Sequence, residues 1–214
     1  MEGRAFSRDS VCAKIQVWFN IVQKSDQNIQ KTFPVVKPAK QSCLVGWEPP
    51  EEGWIQLQLD GSVLSPSGKA AAGGLLRNHT GKCLGAYVCN LGHCSITAAE
   101  LRGALEGLKI AWREGYHKIQ LSMDSTTAIK IIDKRFEDDH RHGSIAKQFN
   151  HLLNLQWDVR VSHGYREANL ASDFLASKAH SFTFGTHPFN VYDKDLVHWI
   201  HHDVMGVSHE RFYL

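Results

Sequence analysis

Four acidic side chains and one histidine have the residue types and the order that metal-dependent phosphodiester hydrolysis requires. They are Asp60, Glu100, Asp124, His163 and Asp173. Carboxylate oxygens are the protein ligands that Mg²⁺ and Mn²⁺ prefer, and two such ions together stabilise the attacking and leaving oxygens of a phosphoryl displacement. Four carboxylates that converge without a cation would repel one another. If the fold brings them together, a divalent metal site is the simplest interpretation.

Three of the four acids also have a purely structural interpretation. Asp60 precedes a glycine, which is typical of a turn. Glu100 follows Thr97 at the spacing of a capping box, and Asp124 is placed to cap the helix after it. Asp173 differs, because it lies inside a predicted helix, where aspartate has low propensity and no cap to make. Asp173 therefore favours the functional interpretation most strongly.

The size and composition of the chain suit one globular domain with extensions. It has 214 residues, 43% of them hydrophobic, and a net charge of +2, which by itself does not indicate nucleic-acid binding. The five cysteines are an odd number, and neither a secretory signal nor a membrane span is visible. We expect an intracellular protein of the nucleus or cytoplasm, not secreted and not membrane-bound. Cys89, His93 and Cys94 match no common zinc spacing, so we expect ordinary thiols there.

Composition divides the chain into three parts. Apolar residues at helical spacing predict an amphipathic helix over 10–23, and the polar, proline-containing stretch 24–53 indicates a linker. We therefore assign 1–46 to an N-terminal helix and linker, 47–183 to the main domain, and 184–214 to a C-terminal tail packing on or near that domain.

Alternating and helical patterns in the main domain predict a mixed α/β fold. The strands are expected at 54–59, which ends at Asp60, and at 70–77, 82–90, 117–123 and 156–162. Helices are expected at 97–115, capped by Thr97, and at 125–134, 144–153 and 168–180. The result is a five-stranded mixed sheet, three antiparallel strands followed by parallel ones, flanked by helices. Small residues at 71–74 allow a helix or backbone to approach closely.

Four sequence blocks in this order resemble the ribonuclease H family. They are Leu59-Asp60-Gly61-Ser62, Thr97-Ala98-Ala99-Glu100-Leu101, Met123-Asp124-Ser125, and the run from His163 to Ala176. The branch that they resemble is the plant type found in non-LTR retroelement (retrotransposon) polyproteins. Its Trp-Glu-Pro-Pro segment before the first strand, here 47–50, and its tail, here 203–211, are also similar. The resemblance covers about 47–211 and implies a ribonuclease H-like fold.

The resemblance implies cleavage of the RNA strand of RNA–DNA hybrids with two Mg²⁺ or Mn²⁺ ions as cofactors. It implies that Asp60 bridges both ions and that Asp173 holds the ion that positions the attacking water. Glu100 and Asp124 would hold the ion on the leaving-group side, while His163 would assist proton transfer or product release. An upstream reverse-transcriptase or other domain of a parent polyprotein is a candidate partner, and we expect a monomer.

The hybrid is expected to contact backbone and polar groups near the acids, namely Gly61, Ser62, Thr97, Ser125, Thr126, Arg166 and Asn169. Structural alternatives are an Arg166–Glu167 surface ion pair and a helix cap at Asn169. Four further cations are interpreted as solvated charges: Lys69, Arg77, Lys82 and Arg102. The stretch between the third acid and the histidine lacks the lysine-rich protrusion of some family members, which predicts weak, salt-sensitive binding.

Two other functions stay open at this point. One is a retroelement-derived module that binds nucleic acid but is catalytically weak or inactive. The other is a different nuclease or transposase of the same superfold, which the helix-borne Glu100 between two strand-end aspartates disfavours.

Overall fold

The computed structural model describes residues 41–135 and 140–213. The predicted helix at 10–23 and the first part of the predicted linker lie outside this range. Within the described residues, Ser42–Arg211 form one compact unit. The strands are β1 Gln41–Val45, β2 Ile55–Leu64, β3 Lys69–Arg77, β4 Cys83–His93, β5 Lys118–Met123, β6 Asp158–His163, β7 Gly185–Phe189 and β8 His209–Tyr213. The helices are α1 Ile96–Arg113, α2 Thr126–Asp133, α3 Gly143–Leu153, α4 Leu170–Ala179 and α5 Lys194–Val204.

The main sheet has the strand order β6-β5-β2-β3-β4-β7. β2, β3, β4 and β7 pair antiparallel, whereas β2, β5 and β6 pair parallel, so the predicted mixed α/β class is confirmed. Within the residues that the structure describes, the main sheet has six strands, one more than the five predicted. β7 contains Pro188 and therefore lacks a clear strand signature, but it lies at the edge of the sheet, where a proline is tolerated.

Helices cover both faces of the sheet and enclose two apolar cores. On one face, α1, α2 and α3 contribute Leu101, Ile132 and Phe149 to a core with strand residues such as Leu57. On the other, α4 and α5 pack Leu175 and Leu196 against β3 and β4. The apolar stripe predicted for α1 accounts for its side of the larger core.

The terminal segments contain more regular structure than the sequence predicts. β1 lies within the predicted linker and pairs with β8 in a separate two-stranded sheet. The predicted tail forms β7, α5 and β8, and Leu196 of α5 is fully buried. None of the helices that the structure describes is long and apolar enough to cross a membrane.

Arg77 contradicts its prediction as a solvated charge. Its side chain is 1% exposed, and Nη1 donates to Asp203 Oδ2 at 2.8 Å. Nη2 donates to the side-chain oxygen of Gln58, and the Trp47 ring lies 3.9 Å from the guanidinium carbon. Arg77 thus joins two distant segments to the sheet, because it contacts Asp203 of α5 and Trp47 before β2.

Candidate active site

Asp60 lies inside β2. The sequence predicted it at the end of this strand, and that position is wrong. The Asp-Gly pair is no turn, because β2 continues through it and stays paired with β3 as far as Leu64. The parallel pairing with β5 stops earlier, at Gln58 and Ser122. Beyond that point β2 has a neighbour on one side only, so space opens beside Asp60. The carboxylate is 6% exposed, and Oδ1 accepts a hydrogen bond from the backbone N–H of Gly61 at 2.9 Å.

Glu100 reaches this space from the second turn of α1. The predicted capping box is wrong: Ser95 caps the helix, and its hydroxyl accepts a hydrogen bond from Ala98 N at 3.2 Å. The Glu100 carboxylate therefore does not cap the helix. The absence of a side chain at Gly61 permits the approach, since a Cβ there would lie 2.9 Å from Glu100 Cγ. Oε2 of Glu100 is buried without a hydrogen-bond partner.

Asp124 directly follows β5 and is likewise free of a capping role. Ser125 caps α2, and its hydroxyl accepts a hydrogen bond from Ala128 N at 3.2 Å. Ser125 also acts on the side chain of Glu100 and opposes the rise of its pKa.

Asp173 lies in the first turn of α4, within the predicted helix. Gly73 on β3 pairs with Asp60 in the sheet register, and a Cβ at Gly73 would lie 2.4 Å from backbone atoms of Leu175 and Ala176. The helix can therefore touch the strand there. Asn169 fixes the start of the same helix, because its side-chain amide donates to Leu59 O at 2.9 Å. Together these contacts bring Asp173 beside Asp60.

Burial and repulsion by neighbouring acids raise the pKa values of Asp60, Glu100 and Asp124. Burial raises the pKa of Asp60 to about 8, and the charges of Asp124 and Asp173 add to the shift. Burial also raises the pKa of Glu100 to about 7, with a further contribution from Asp124. Burial raises the pKa of Asp124, while the nearby charges of Arg166 and His163 oppose that rise. The four carboxylates thus form one electrostatic cluster.

The donor set of this cluster fits a divalent cation. In the described part of the chain, no three His, Cys, Asp or Glu side chains already converge at metal-binding distances. The charges of Asp124 and Asp173 nevertheless act on the Asp60 carboxyl, and that of Asp124 acts on Glu100. An all-oxygen set with a buried, unpartnered Glu100 Oε2 suits Mg²⁺ or Mn²⁺.

His163 ends β6 at the rim of this cluster. Its side chain is exposed, and its ring meets the Tyr165 ring edge-on at 5.2 Å. Arg166 approaches the acids rather than its sequence neighbour: its Nη2 lies 3.9 Å from Asp173 Oδ1. The alternative of an Arg166–Glu167 ion pair is wrong, because Glu167 pairs with Arg211. Both predicted residues, His163 and Arg166, are thus beside the carboxylates.

The residues predicted to contact nucleic acid are placed differently from one another. Thr126 is exposed, while Gly61, Thr97 and Ser125 are half-buried around the acids. Ser62 is half-buried and is hydrogen-bonded to His180 Nε2 at 3.0 Å. Asn169 is buried and bonded to backbone, so the structure gives it a positioning role in place of the predicted contact, and its side chain makes no cap.

Three structural contributors near the site had no clear local signal in the sequence. Gly73 was recognised only as one of several small residues, and its contact with α4 identifies its role. Arg211 and Glu167 are far apart in sequence and form an ion pair at 2.8 Å. Such a pair becomes visible only once β8 has been placed against the segment after β6.

Comparisons with known proteins agree with this geometry. A model of the family described as "Reverse transcriptase-like" matches residues 58–179. An Arabidopsis thaliana protein named "Putative ribonuclease H protein" is 33% identical over 168 residues, which are 78% of this chain and 27% of the relative. The chain thus spans about a quarter of that relative's length.

Solved structures are similar over most of the main domain. RNase H1 from the halophilic archaeon Halobacterium salinarum has a TM-score of 0.55 at 23% identity, covering 60% of this chain and 98% of that chain. LC11-RNase H1, solved in complex with RNA/DNA hybrid, has a TM-score of 0.54 at 17% identity, covering 59% and 96%. At these identities the two structures show a shared fold.

Proposed function

We propose that this chain hydrolyses the RNA strand of RNA–DNA hybrids. It belongs to the reverse transcriptase-like family of ribonuclease H-like domains, and the proposal proceeds from that membership. The observation that supports the proposal is that carboxylates carried by four separate elements, β2, α1, the end of β5 and α4, interact electrostatically with one another. Two of them are buried, and their pKa values are raised to about 8 and about 7. This arrangement disfavours the charged forms unless positive charge is supplied, which suits acids that hold cations.

Asp60, at the centre of the cluster, would contact both of two Mg²⁺ or Mn²⁺ ions. Asp173 would hold the ion on the water side, and Glu100 with Asp124 the ion on the leaving-group side. When bound, the ions supply Lewis-acid stabilisation of the attacking and leaving oxygens. The chain itself positions the elements that carry these carboxylates through the glycines, serine and asparagine described above.

His163 is placed to move a proton at the rim of the site. It is exposed, lies at the end of a strand, and acts electrostatically on Asp124. The two ring nitrogens of an imidazole can accept and donate a proton. We assign it assistance to proton transfer or product release, and not metal ligation.

Recognition of RNA is assigned to the groups that surround the acids. The first turns of α1 and α2 present backbone N–H groups suited to phosphate oxygens. Glu100 Oε2 is a buried acceptor without a partner, which suits the hydroxyl donor that distinguishes RNA from DNA. The hybrid in the LC11-RNase H1 complex supports this substrate class.

Cleavage of labelled substrates with Mg²⁺ or with EDTA tests the proposal. RNA should be lost from the hybrid, not from duplex RNA or duplex DNA, and only with metal. Glu100→Gln should lower cleavage at least about a hundredfold with an unchanged circular dichroism spectrum. Glu106→Gln, on the same helix but paired with Lys109 at 2.8 Å, is the matched control and should retain activity. A fully active Glu100→Gln protein, or hybrid binding without cleavage by the wild type, would overturn the proposal; the second result selects an inactive binding module.

A further inference from the structure

One arginine of β8 holds the segment that follows His163. Arg211 Nη1 donates to both carboxylate oxygens of Glu167, at 2.8 and 3.1 Å. Its guanidinium carbon also lies 4.7 Å from the centre of the Tyr165 ring. A single side chain from the C-terminal strand therefore fixes two residues of the 164–167 segment, by an ion pair and by stacking.

Tyr165 transmits this restraint to the histidine. Its ring meets the His163 ring edge-on, with centroids 5.2 Å apart and planes at 86°. Tyr165 is 43% exposed. Tyr165 thus contacts both the His163 ring and the guanidinium of Arg211.

The opposite end of the segment is anchored separately. The Gln58 side-chain amide donates to Ala168 O at 3.1 Å, and that of Asn169 donates to Leu59 O at 2.9 Å. These bonds fix the start of α4, the helix that carries Asp173. They leave the part nearer His163 to be held from β8.

We propose that Arg211 is a positioning residue, which holds His163 at the rim of the carboxylate cluster through Tyr165 while Glu167 fixes the guanidinium. The inference rests on the proposed function, in which His163 assists proton transfer. It assigns the C-terminal strand a role in turnover as well as in packing. Lysine would keep the charge but lose the planar stacking surface and the fork of donors, so Arg211→Lys should restore only part of the effect.

The kinetic test is a double-mutant cycle with the full chain and a labelled hybrid. Arg211→Ala should lower kcat about three- to tenfold with KM changed less than about twofold, since an interaction made only in the transition state is lost. In a His163→Ala background the same change should alter kcat less than about 1.5-fold, because the two residues act as one unit. Arg160→Ala is the matched control: Arg160 stacks on Trp54 at 3.8 Å and pairs with Glu51 at 3.5 Å, and its loss should leave kcat unchanged.

Hydrogen exchange provides a measurement that is independent of activity. Arg211→Ala should speed amide exchange in 163–167 while exchange in α1 stays unchanged. Wild-type protein that fails to cut hybrid overturns the proposed function, whereas faster exchange at 163–167 would still support the restraint. Unchanged exchange there, or equal losses of kcat with and without His163, would overturn the positioning role.

Discussion

Replacement of Asp60 by asparagine should stabilise the metal-free protein at neutral and alkaline pH. Burial raises the pKa of this carboxyl from 3.8 to about 8, so the folded state binds a proton that the unfolded state has released. Because the folded pKa is the higher one, stability from this group is fully present below about pH 4. It is lost as the pH rises towards 8. The asparagine oxygen can still accept the Gly61 N–H bond, but it carries no charge.

The pKa shift sets the size of the effect. At 1.36 kcal/mol per pKa unit, a rise from 3.8 to about 8 corresponds to at most about 6 kcal/mol above pH 8. The neighbouring Asp173 side chain is 48% exposed and can turn into water, which relieves part of the repulsion. We therefore expect a gain of about 2–3 kcal/mol for Asp60→Asn at pH 8, on the scale of about 5–10 °C in Tm.

Thermal unfolding in EDTA at several pH values between 5 and 9 measures this gain. The difference between Asp60→Asn and wild type should grow with pH, while Asp158→Asn, at the exposed start of β6, should track wild type. Adding Mg²⁺ at a tenfold excess over Kd should stabilise wild type by about 1.4 kcal/mol, which raises its Tm, and should not raise the Tm of the variant. If Asp60→Asn were less stable than wild type at pH 8 in EDTA, the assigned burial and repulsion would be wrong.

Three further predictions concern the contact between α4 and β3, the buried Arg77–Asp203 pair, and the binding of hybrid. Gly73→Ala should push α4 away from β3. We expect it to lower the free energy of unfolding in urea by about 1–3 kcal/mol and kcat by at least about tenfold. Gly85→Ala on β4 is the control, because its Cβ would meet its nearest atom at 3.8 Å, and it should change neither stability nor kcat. Asp203→Asn should cost about 3–5 kcal/mol of unfolding free energy because it leaves Arg77 buried and unpaired, whereas Asp195→Asn in an exposed pair should cost less than about 1 kcal/mol. Hybrid affinity should fall about forty- to 150-fold between 50 and 200 mM salt, as for three to four phosphate contacts, and a flat salt profile in fluorescence anisotropy would contradict this.

Local patterns in the sequence predicted the parts of the fold that local physics determines. The helical stripe of α1 and the alternation in β2 specify a buried face, and the order of the acids specifies which elements must converge. The sequence predicted Thr97 as the cap of α1, but Ser95 is the cap. Both residue types are good caps, and only the backbone geometry distinguishes them. The end of β2 was misplaced because Asp60 before a glycine is typical of a turn, whereas pairing with β3 keeps the strand extended.

Long-range pairing accounts for most of what the sequence did not predict. Arg77 has no local feature that distinguishes it from a solvated arginine, and its burial depends on Asp203 from α5. β7 was missed for a related reason, since its strand character comes from pairing with β4 and not from its residues. Contacts between residues that are distant in sequence decide these cases, and a single sequence carries no direct record of them.

The positions of the acids depend as much on neighbouring residues without side chains as on the acids themselves. Gly61 lets Glu100 approach β2, and Gly73 lets α4 lie directly on β3 beside Asp60. Either glycine, replaced by a larger residue, would separate carboxylates that remain chemically intact. A chain with all four acids in the right order could thus still lack the cluster, so the acids identify the chemistry while the two glycines determine whether the fold can bring them together.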